Sequence, residues 1–229
     1  HGIPILTNSK FMRQLLHRNQ IPLEHIKVIA PVLLEDSPPD FVPPSGLRKM
    51  LFVGRLTPEK GLHQLIEAIA PLETDWELIV AGDGEERVTC QNLAARLNVA
   101  HKVHIRGWLS QSEVASLYQD CAFVVVPSLW PEPFGRTGPE AFLNGRPVIA
   151  FAVGGVPDWL EDGATGYLVP PGDVVELRGR IQTLLESPSQ QKQMGSHARA
   201  QALKTWNAEA HINSLLRFFV QARTRANVR

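Results

Sequence analysis

Residues 121–152, CAFVVVPSLWPEPFGRTGPEAFLNGRPVIAFA, contain two short apolar runs separated by a loop and a helical segment. The first run, residues 122–126, leads into a loop that carries Glu132, and the second run begins at Val148. Two buried strands joined through a helix form a βαβ unit, whose loop lies at the carboxyl end of the first strand. Open α/β sheets bind their ligands at that edge. The stretch therefore predicts an α/β fold with a parallel sheet, and it puts Glu132 beside a ligand.

The segment after this first acid suits a bound anion. A second acid, Glu140, falls within the helix, so the two carboxylates reach the cleft from different elements. Between them lie the backbone N–H groups of Phe134, Gly135 and Arg136. A helix start has free N–H groups and about half a unit of positive dipole charge, which together favour an anion such as phosphate.

The stretch resembles the signature of the retaining glycosyltransferases of family four, also called group one. Their motif has a Glu, seven residues and a second Glu, with Phe-Gly after the first acid and Ala after the second. The matching residues here are Glu132, Phe134, Gly135, Glu140 and Ala141. The family has the two-domain GT-B architecture. The resemblance implies that this chain forms one half of a GT-B fold, a Rossmann-like parallel sheet with helices on both faces.

Composition narrows the class of protein. With 229 residues, 44% apolar and 20% charged, the chain can bury a core. Its 23 basic and 23 acidic residues cancel, which disfavours a nucleic-acid partner held by bulk charge. Cys90 and Cys121 lack metal-ligand spacing and are expected to act as small apolar residues of a reduced, cytoplasmic protein. No apolar run approaches the roughly 20 residues of a membrane-spanning helix, and the start, HGIPILTNSK, is unlike a signal peptide.

Strand and helix patterns alternate along most of the chain, which predicts a parallel sheet covered on both faces. Further strands are predicted at residues 50–53, 76–81, 103–105 and 167–169. Helices are predicted near residues 61–70, 85–98, 112–120, 173–187, 189–204 and 208–224.

The first thirty residues form a separate piece, with a strand at 3–6, a helix at 10–19 capped by Ser9, and a second extended segment at 28–29. The proline-rich residues 31–44 that follow indicate a linker. One interpretation is an arm packed on the main domain. The resemblance implies another, in which this piece ends the family's N-terminal domain. The domain boundaries are then 1–30 for that remnant, 31–45 for the linker, 46–204 for a nucleotide-sugar-binding domain, and 205–229 for a C-terminal helix and basic tail.

A second informative loop is residues 54–61, GRLTPEKG, at the carboxyl end of the strand predicted at 50–53. It brings Arg55 and Lys60 to the start of a helix. Arginine offers phosphate a planar fork and lysine a compact charge. Either cation could instead pair with Glu59 or Glu67 on the surface. Family members carry a similar loop whose Arg and Lys hold the donor diphosphate, so the resemblance implies that role here.

The resemblance also assigns roles within the double-glutamate stretch. Glu132 would hold hydroxyls of the transferred sugar and orient its anomeric carbon, as the catalytic residue, and Glu140 would bind the ribose. The diphosphate would contact Arg55, Lys60, Phe134, Gly135, Arg136 and Thr137. Because these groups would neutralise the leaving group, no metal or other cofactor is expected. His101 and His104 have two residues between them, but no Asp, Glu or Cys completes a metal set with them.

Two other strand ends are candidates for a nucleobase pocket. Gly82 lies in a short glycine-rich turn, which could equally serve only to reverse the chain. Trp108 and Leu109 follow the third strand, where the family presents backbone groups to the base, although a core tryptophan is the alternative. Asp158 stands where family members commonly have Glu, so the contact made by that longer side chain is open here.

The C-terminal segment has a predicted core-facing apolar stripe. Its members are Ile212, Leu215, Leu216, Phe219 and Val220. Four arginines follow or interrupt it: Arg217, Arg223, Arg225 and Arg229. They indicate either a solvated basic tail or a basic amphipathic end that touches an anionic membrane surface.

These features favour the donor-binding half of a retaining glycosyltransferase. It would transfer a sugar from a nucleoside-diphosphate sugar to a hydroxyl of an acceptor glycan, lipid or small molecule, in the cytoplasm or peripherally at the inner face of the membrane. The family's N-terminal domain is not among the 229 residues, so this chain alone is expected to bind donor weakly and turn over little. Two alternatives remain: half of a sugar-nucleotide epimerase, which shares the GT-B architecture, and a non-catalytic nucleotide-binding or regulatory module.

Overall fold

A small βαβ piece opens the chain in the computed structural model, which describes residues 3–33 and 48–227, with side chains up to residue 223. Strands β1 (Ile5–Thr7) and β2 (Ile26–Val28) pair in parallel, and helix α1 (Lys10–Arg18) connects them. Ser9 caps α1 by accepting a hydrogen bond from the amide of Met12 at 3.1 Å, as predicted. Most of the predicted linker lies outside the described residues.

Six further strands form one parallel sheet, and each begins within two residues of its predicted position. They are β3 (Lys49–Val53), β4 (Glu77–Ala81), β5 (Val103–Gly107), β6 (Phe123–Val126), β7 (Val148–Phe151) and β8 (Gly166–Val169). β6 and β7 are buried nearly throughout, because helices cover both faces of the sheet. β5 runs two residues further than predicted, because an irregularity beside β4 lets Gly107 pair with Ala81.

The strand order is β5-β4-β3-β6-β7-β8, with every neighbouring pair parallel. From β3 the chain first moves outward through β4 to β5, and then returns to the other side of β3 to start β6. Right-handed crossovers therefore put the helices that follow β3 and β4 on one face of the sheet, and those that follow β5 and β6 on the other. The loops after β3 and β6 diverge to opposite faces, which makes the gap between them the topological switch point of the sheet.

In the part of the chain that the structure describes, seven α-helices follow α1, at positions close to those predicted. They are α2 (Leu62–Ile69), α3 (Arg87–Arg96), α4 (Gln111–Asp120), α5 (Thr137–Leu143), α6 (Val174–Glu186), α7 (Pro188–Thr205) and α8 (Ala208–Asn227). Ser110 and Glu113 form a capping box at the start of α4, and Asp173 caps α6. α2 packs against α3 and α6, whereas α5 packs against α7.

Large apolar side chains from both faces fill the core. Fully buried examples are Trp76, Phe123, Phe142 and Phe151. Cys90 and Cys121 are buried, unpaired thiols within this core, in agreement with their prediction as small apolar residues.

Helix α8 corrects one prediction, because most of its apolar stripe does not face the core. The exposed members are Ile212, Leu216, Phe219 and Val220, at 54–65% exposure. The side of α8 that packs against the N-terminal piece carries His211, Leu215 and Phe218. Leu215 and Phe218 line shallow cavities there. His211 Nδ1 lies 2.9 Å from the carbonyl oxygen of Ala30. A stripe of five apolar positions is wider than the face that a two-stranded piece can cover, so part of it remains in contact with solvent.

The predicted basic tail is described only in part, because side chains beyond residue 223 are outside the described set. Arg217 and Arg223 are exposed. Over the described helices, none combines the length and apolar character needed to cross a bilayer.

Candidate functional site

The two loops that diverge at the switch point are held together through one carbonyl group. The backbone oxygen of Glu59 accepts hydrogen bonds from the amides of Leu129 and Trp130, at 2.8 and 3.3 Å. Gly61 lets the loops approach so closely, because a Cβ built there would lie 2.0 Å from the carbonyl oxygen of Pro127. Its φ of +70° is also a conformation that favours glycine. The sequence segments 54–61 and 127–136 thus form a single crevice.

Lys60 and Glu132 form an ion pair across this crevice, between Nζ and Oε1. The side chains are only 24% and 14% exposed, so the pair is partly withdrawn from water. The hydroxyl of Ser128, itself buried, donates to the same Glu132 oxygen at 2.9 Å. The alternative in which Lys60 pairs with Glu59 or Glu67 is wrong, because its partner is Glu132 of the neighbouring loop.

Unpaired backbone amides border the pair. Within the described residues, the N–H groups of Phe134, Gly135 and Arg136 have no hydrogen-bond acceptor. The Phe134 ring is 5% exposed, so this residue can offer a ligand only its backbone. The helix that follows has just seven residues. The attraction for an anion therefore depends on the unpaired amides more than on a long helix dipole.

Glu140 lies deeper in α5, beside a cavity of about 340 Å³. Arg136 Nε lies 3.2 Å from its Oε1, and the hydroxyl of Tyr118 donates to Oε2 at 3.4 Å. The hydroxyl of Thr137 donates to the carbonyl of Val53 at 3.4 Å and so ties α5 to the end of β3. The cavity has apolar walls and a few polar groups, the mixture typical of small-molecule sites. Its lining includes Val53, Gln111, Val114, Tyr118, Arg136 and Glu140.

A buried arginine holds Tyr118 in place. Arg146 is 1% exposed, and its Nε and Nη2 donate to the carbonyls of Tyr118 and Gln119 at 2.5 and 2.6 Å. These carbonyls belong to the last turn of α4, where backbone oxygens lack helical partners. The arginine that follows the double-glutamate segment therefore supports the cavity from behind.

Arg55 follows the end of β3 in the same loop as Lys60. It is exposed and makes no ion pair in the described part of the chain. Lys60, from the same loop, is the cation that pairs with Glu132.

Trp108 and Leu109, two of the candidates for the base pocket, differ in their exposure to solvent. Trp108 is 73% exposed, so the interpretation as a core tryptophan is wrong. Leu109 is half-buried. Neither residue lines the 340 Å³ cavity, although Gln111, two positions after Leu109, does.

Gly82 has a structural role in its turn. Its amide donates to the carbonyl of Gly107 at 2.9 Å, and a Cβ there would lie 1.8 Å from the carbonyl oxygen of Gly54. The turn therefore packs the loop after β4 against the loop after β3. The amide of Gly84 and then the guanidinium of Arg87 hold the pKa of Asp83 below its usual range.

Asp158 connects the N-terminal piece to the crevice. Its Oδ2 accepts from the amides of Lys10 and Phe11, at 2.5 and 3.3 Å, in the first turn of α1. In the same loop, the amide of Gly155 donates to the carbonyl of Glu132 at 2.7 Å. Asp158 thus accepts hydrogen bonds from the start of α1, and its part in ligand binding stays open.

Sequence reasoning missed Ser128, Gln111 and Tyr118. Ser128 lies in the quoted stretch, four residues before Glu132, but a serine in a loop carries no signal by itself. Gln111 and Tyr118 belong to α4, which the sequence shows only as a helix. Among the described residues, no group of three or more His, Cys, Asp or Glu side chains could hold a metal ion.

The sequence is similar to those of curated glycosyltransferases. A kanosaminyltransferase of Streptomyces kanamyceticus is 34% identical over 152 residues, covering 65% of this chain and 39% of the relative. The D-inositol 3-phosphate glycosyltransferase of Corynebacterium diphtheriae is 34% identical over 177 residues, covering 73% of this chain and 41% of the relative. The chain thus spans about two fifths of the length of these curated relatives.

Solved structures share the fold. HepE of Anabaena, solved in complex with UDP, superposes with a TM-score of 0.86 at 25% identity, over 96% of this chain and 64% of that one. This neighbour confirms the predicted Rossmann-like half of a GT-B fold. The family model for glycosyl transferases group 1 matches residues 35–201. The chain therefore belongs to the group 1 glycosyltransferases.

Proposed function

We propose that the chain is the donor-binding half of a retaining, family-four glycosyltransferase that uses a nucleoside-diphosphate sugar. One observation carries this proposal: Lys60 and Glu132 meet at the switch point of the sheet, beside the unpaired amides of residues 134–136. A cation, bare N–H groups and a carboxylate suit the two halves of a nucleotide sugar, its phosphates and its hydroxyls. The UDP bound to HepE supports a nucleotide ligand. The chain covers about two fifths of the length of its curated relatives, so sugar transfer by the whole protein is also proposed.

In the proposed reaction, the bond between the anomeric carbon and the β-phosphate oxygen breaks, and its electron pair stays on the phosphate. Lys60 and the amides at Gly135 and Arg136 would stabilise that charge. The acceptor hydroxyl would attack from the face that the phosphate leaves, and its proton would pass to the departing phosphate oxygen. The products are a glycoside of retained configuration and a nucleoside diphosphate. Because these groups would neutralise the leaving group, the proposal includes no metal.

Glu132 and Glu140 have separate tasks in this proposal. Glu132, held by Lys60 and Ser128, would accept hydrogen bonds from hydroxyls of the transferred sugar. Glu140 would accept them from the ribose, with the base in the adjoining cavity beside Gln111. The cavity volume, about 340 Å³, falls within the range of roughly 300–1,000 Å³ usual for small-molecule sites.

The test is a calorimetric titration of UDP, GDP and ADP into the chain and into Glu140→Ala. Loss of a carboxylate that accepts ribose hydroxyls should weaken binding of the preferred diphosphate about tenfold. Glu176→Ala is a matched control, because Glu176 pairs with Arg180 four residues away in α6, as Glu140 pairs with Arg136, but outside the cavity. Equal affinity in the wild type and in Glu140→Ala would remove the ribose assignment.

Catalysis requires a second measurement on the whole protein. Glu132→Ala should reduce sugar transfer far more than it reduces nucleotide binding, because its carboxylate faces the sugar in the proposed complex. Wild-type transfer rates in this variant would contradict the role of Glu132. With donor and no acceptor, a transferase should leave the sugar configuration unchanged, whereas an epimerase would convert it.

A further inference from the structure

Lys60 and Glu132 form an ion pair with each other, although in the proposed function each would bind a different part of the donor. Lys60 would bind the diphosphate, and Glu132 would bind the sugar. Both contacts to Glu132, from Lys60 and from Ser128, converge on the same carboxylate oxygen, Oε1. A diphosphate that takes Lys60 must therefore weaken or displace an existing ion pair.

The position of Glu132 makes this exchange costly. Its side chain is 14% exposed, so water can replace the lysine only in part. With Lys60 on a phosphate, the carboxylate keeps the Ser128 hydroxyl as its donor. Hydroxyls of a bound sugar can donate hydrogen bonds to the carboxylate and so replace the lost contact with Lys60. A nucleoside diphosphate without a sugar has no such group at this position.

We propose that Glu132 is a specificity-determining residue that competes with the diphosphate for Lys60, and so disfavours a nucleoside diphosphate that carries no sugar. This inference rests on the proposed function and adds to it. After transfer, the carboxylate of Glu132 would compete for Lys60 and so weaken the binding of the nucleoside diphosphate product. The site would thereby distinguish donor from product through one ion pair.

The experiment compares Glu132→Gln with the wild type by calorimetry, using whichever of UDP, GDP and ADP the wild type binds. Glutamine keeps the size of the side chain and an acceptor for Ser128, but loses the charge that holds Lys60. Freed from its partner, Lys60 should bind the diphosphate about three- to tenfold more tightly. The glucose, N-acetylglucosamine and mannose conjugates of that diphosphate should gain less, or lose affinity, because the amide is a poorer acceptor for hydroxyls.

Glu59→Gln is the matched control for charge alone. Glu59 is the residue before Lys60, and in the described residues it is in no ion pair. Hydrogen bonding, led by its own backbone amide, lowers its pKa, so it is ionised at neutral pH. Because the charge is well solvated and screened, its removal should change diphosphate affinity less than about twofold.

A double variant decides whether the gain passes through Lys60. In a Lys60→Met background, Glu132→Gln should give no tightening, since the competed cation is gone. Two results would overturn the inference without contradicting the proposed donor site. One is tighter diphosphate binding by Glu132→Gln even in the Lys60→Met background. The other is a Glu132→Gln variant that binds the diphosphate no more tightly than Glu59→Gln does. A wild type that binds none of the three diphosphates would instead overturn the proposed function, and the inference with it.

Discussion

Replacing Gly61 with alanine should separate the two loops that build the crevice. An added Cβ would lie 2.0 Å from the Pro127 carbonyl oxygen, whereas real Cβ atoms essentially never come within 3.0 Å of another heavy atom. One loop must therefore move by about 1 Å. Because Lys60 is the preceding residue, that movement should disturb its contact with Glu132.

The expected loss of stability has two parts. A left-handed backbone costs a non-glycine residue about 1–2 kcal/mol, and forced overpacking costs typically about 1–3 kcal/mol more. Gly61→Ala should therefore lower the free energy of unfolding by roughly 2–5 kcal/mol. Gly163→Ala isolates the first part, since Gly163 has a similar φ of +76° but nothing within 4 Å of the added Cβ.

Urea unfolding of the two variants and the wild type, followed by circular dichroism, measures this difference. Nucleoside diphosphate binding, measured in the same samples, should weaken in Gly61→Ala and stay near the wild-type value in Gly163→Ala. If both variants lose the same stability and bind alike, the close approach of the loops does not matter and the reasoning is refuted.

Three further predictions concern the supports of the site. Arg146→Met should lower the free energy of unfolding by about 3 kcal/mol in urea denaturation, because two charge-assisted hydrogen bonds to the end of α4 are lost; a loss below about 1 kcal/mol would contradict this. Asp158→Ala should cost about 1 kcal/mol by the same assay, as for a lost helix cap, and Asp158→Asn less, because asparagine keeps an acceptor. Burial raises the pKa of the Cys90 thiol to about 11 and that of Cys121 to about 12, so iodoacetamide at about pH 8 should modify neither in the folded chain and both in urea, whereas rapid alkylation of the folded chain would contradict their burial.

The sequence predicts the sheet well, because its strands are short apolar runs bounded by turn residues. The double-glutamate stretch also predicts the crevice: Glu132 follows β6, and segment 54–61 follows β3, so the switch point brings them together. The strand order thus accounts for the contact between Lys60 and Glu132, whereas the diphosphate-binding role of Lys60 stays a prediction.

What the sequence could not predict depends on tertiary placement. The partner of Lys60 comes from a loop about seventy residues away, so local charge spacing offers only Glu59 or Glu67 as alternative partners and does not reveal Glu132. Trp108 looks like a core residue by its type alone, and only the path of the chain after β5 shows it to be exposed. Periodicity predicts that the apolar stripe on α8 faces the core. It does not show how much protein surface is present to cover that stripe.

The central claim is that a diphosphate lies between Lys60 and the amides of residues 134–136. Amide chemical shifts recorded during a titration with the preferred nucleoside diphosphate test it most directly. The account predicts the largest changes at Gly135 and Arg136, and their loss in Lys60→Met at the same ligand concentration. Saturable binding with shifts confined to the separate cavity beside His197 and Lys204, about 840 Å³ in volume, would contradict it.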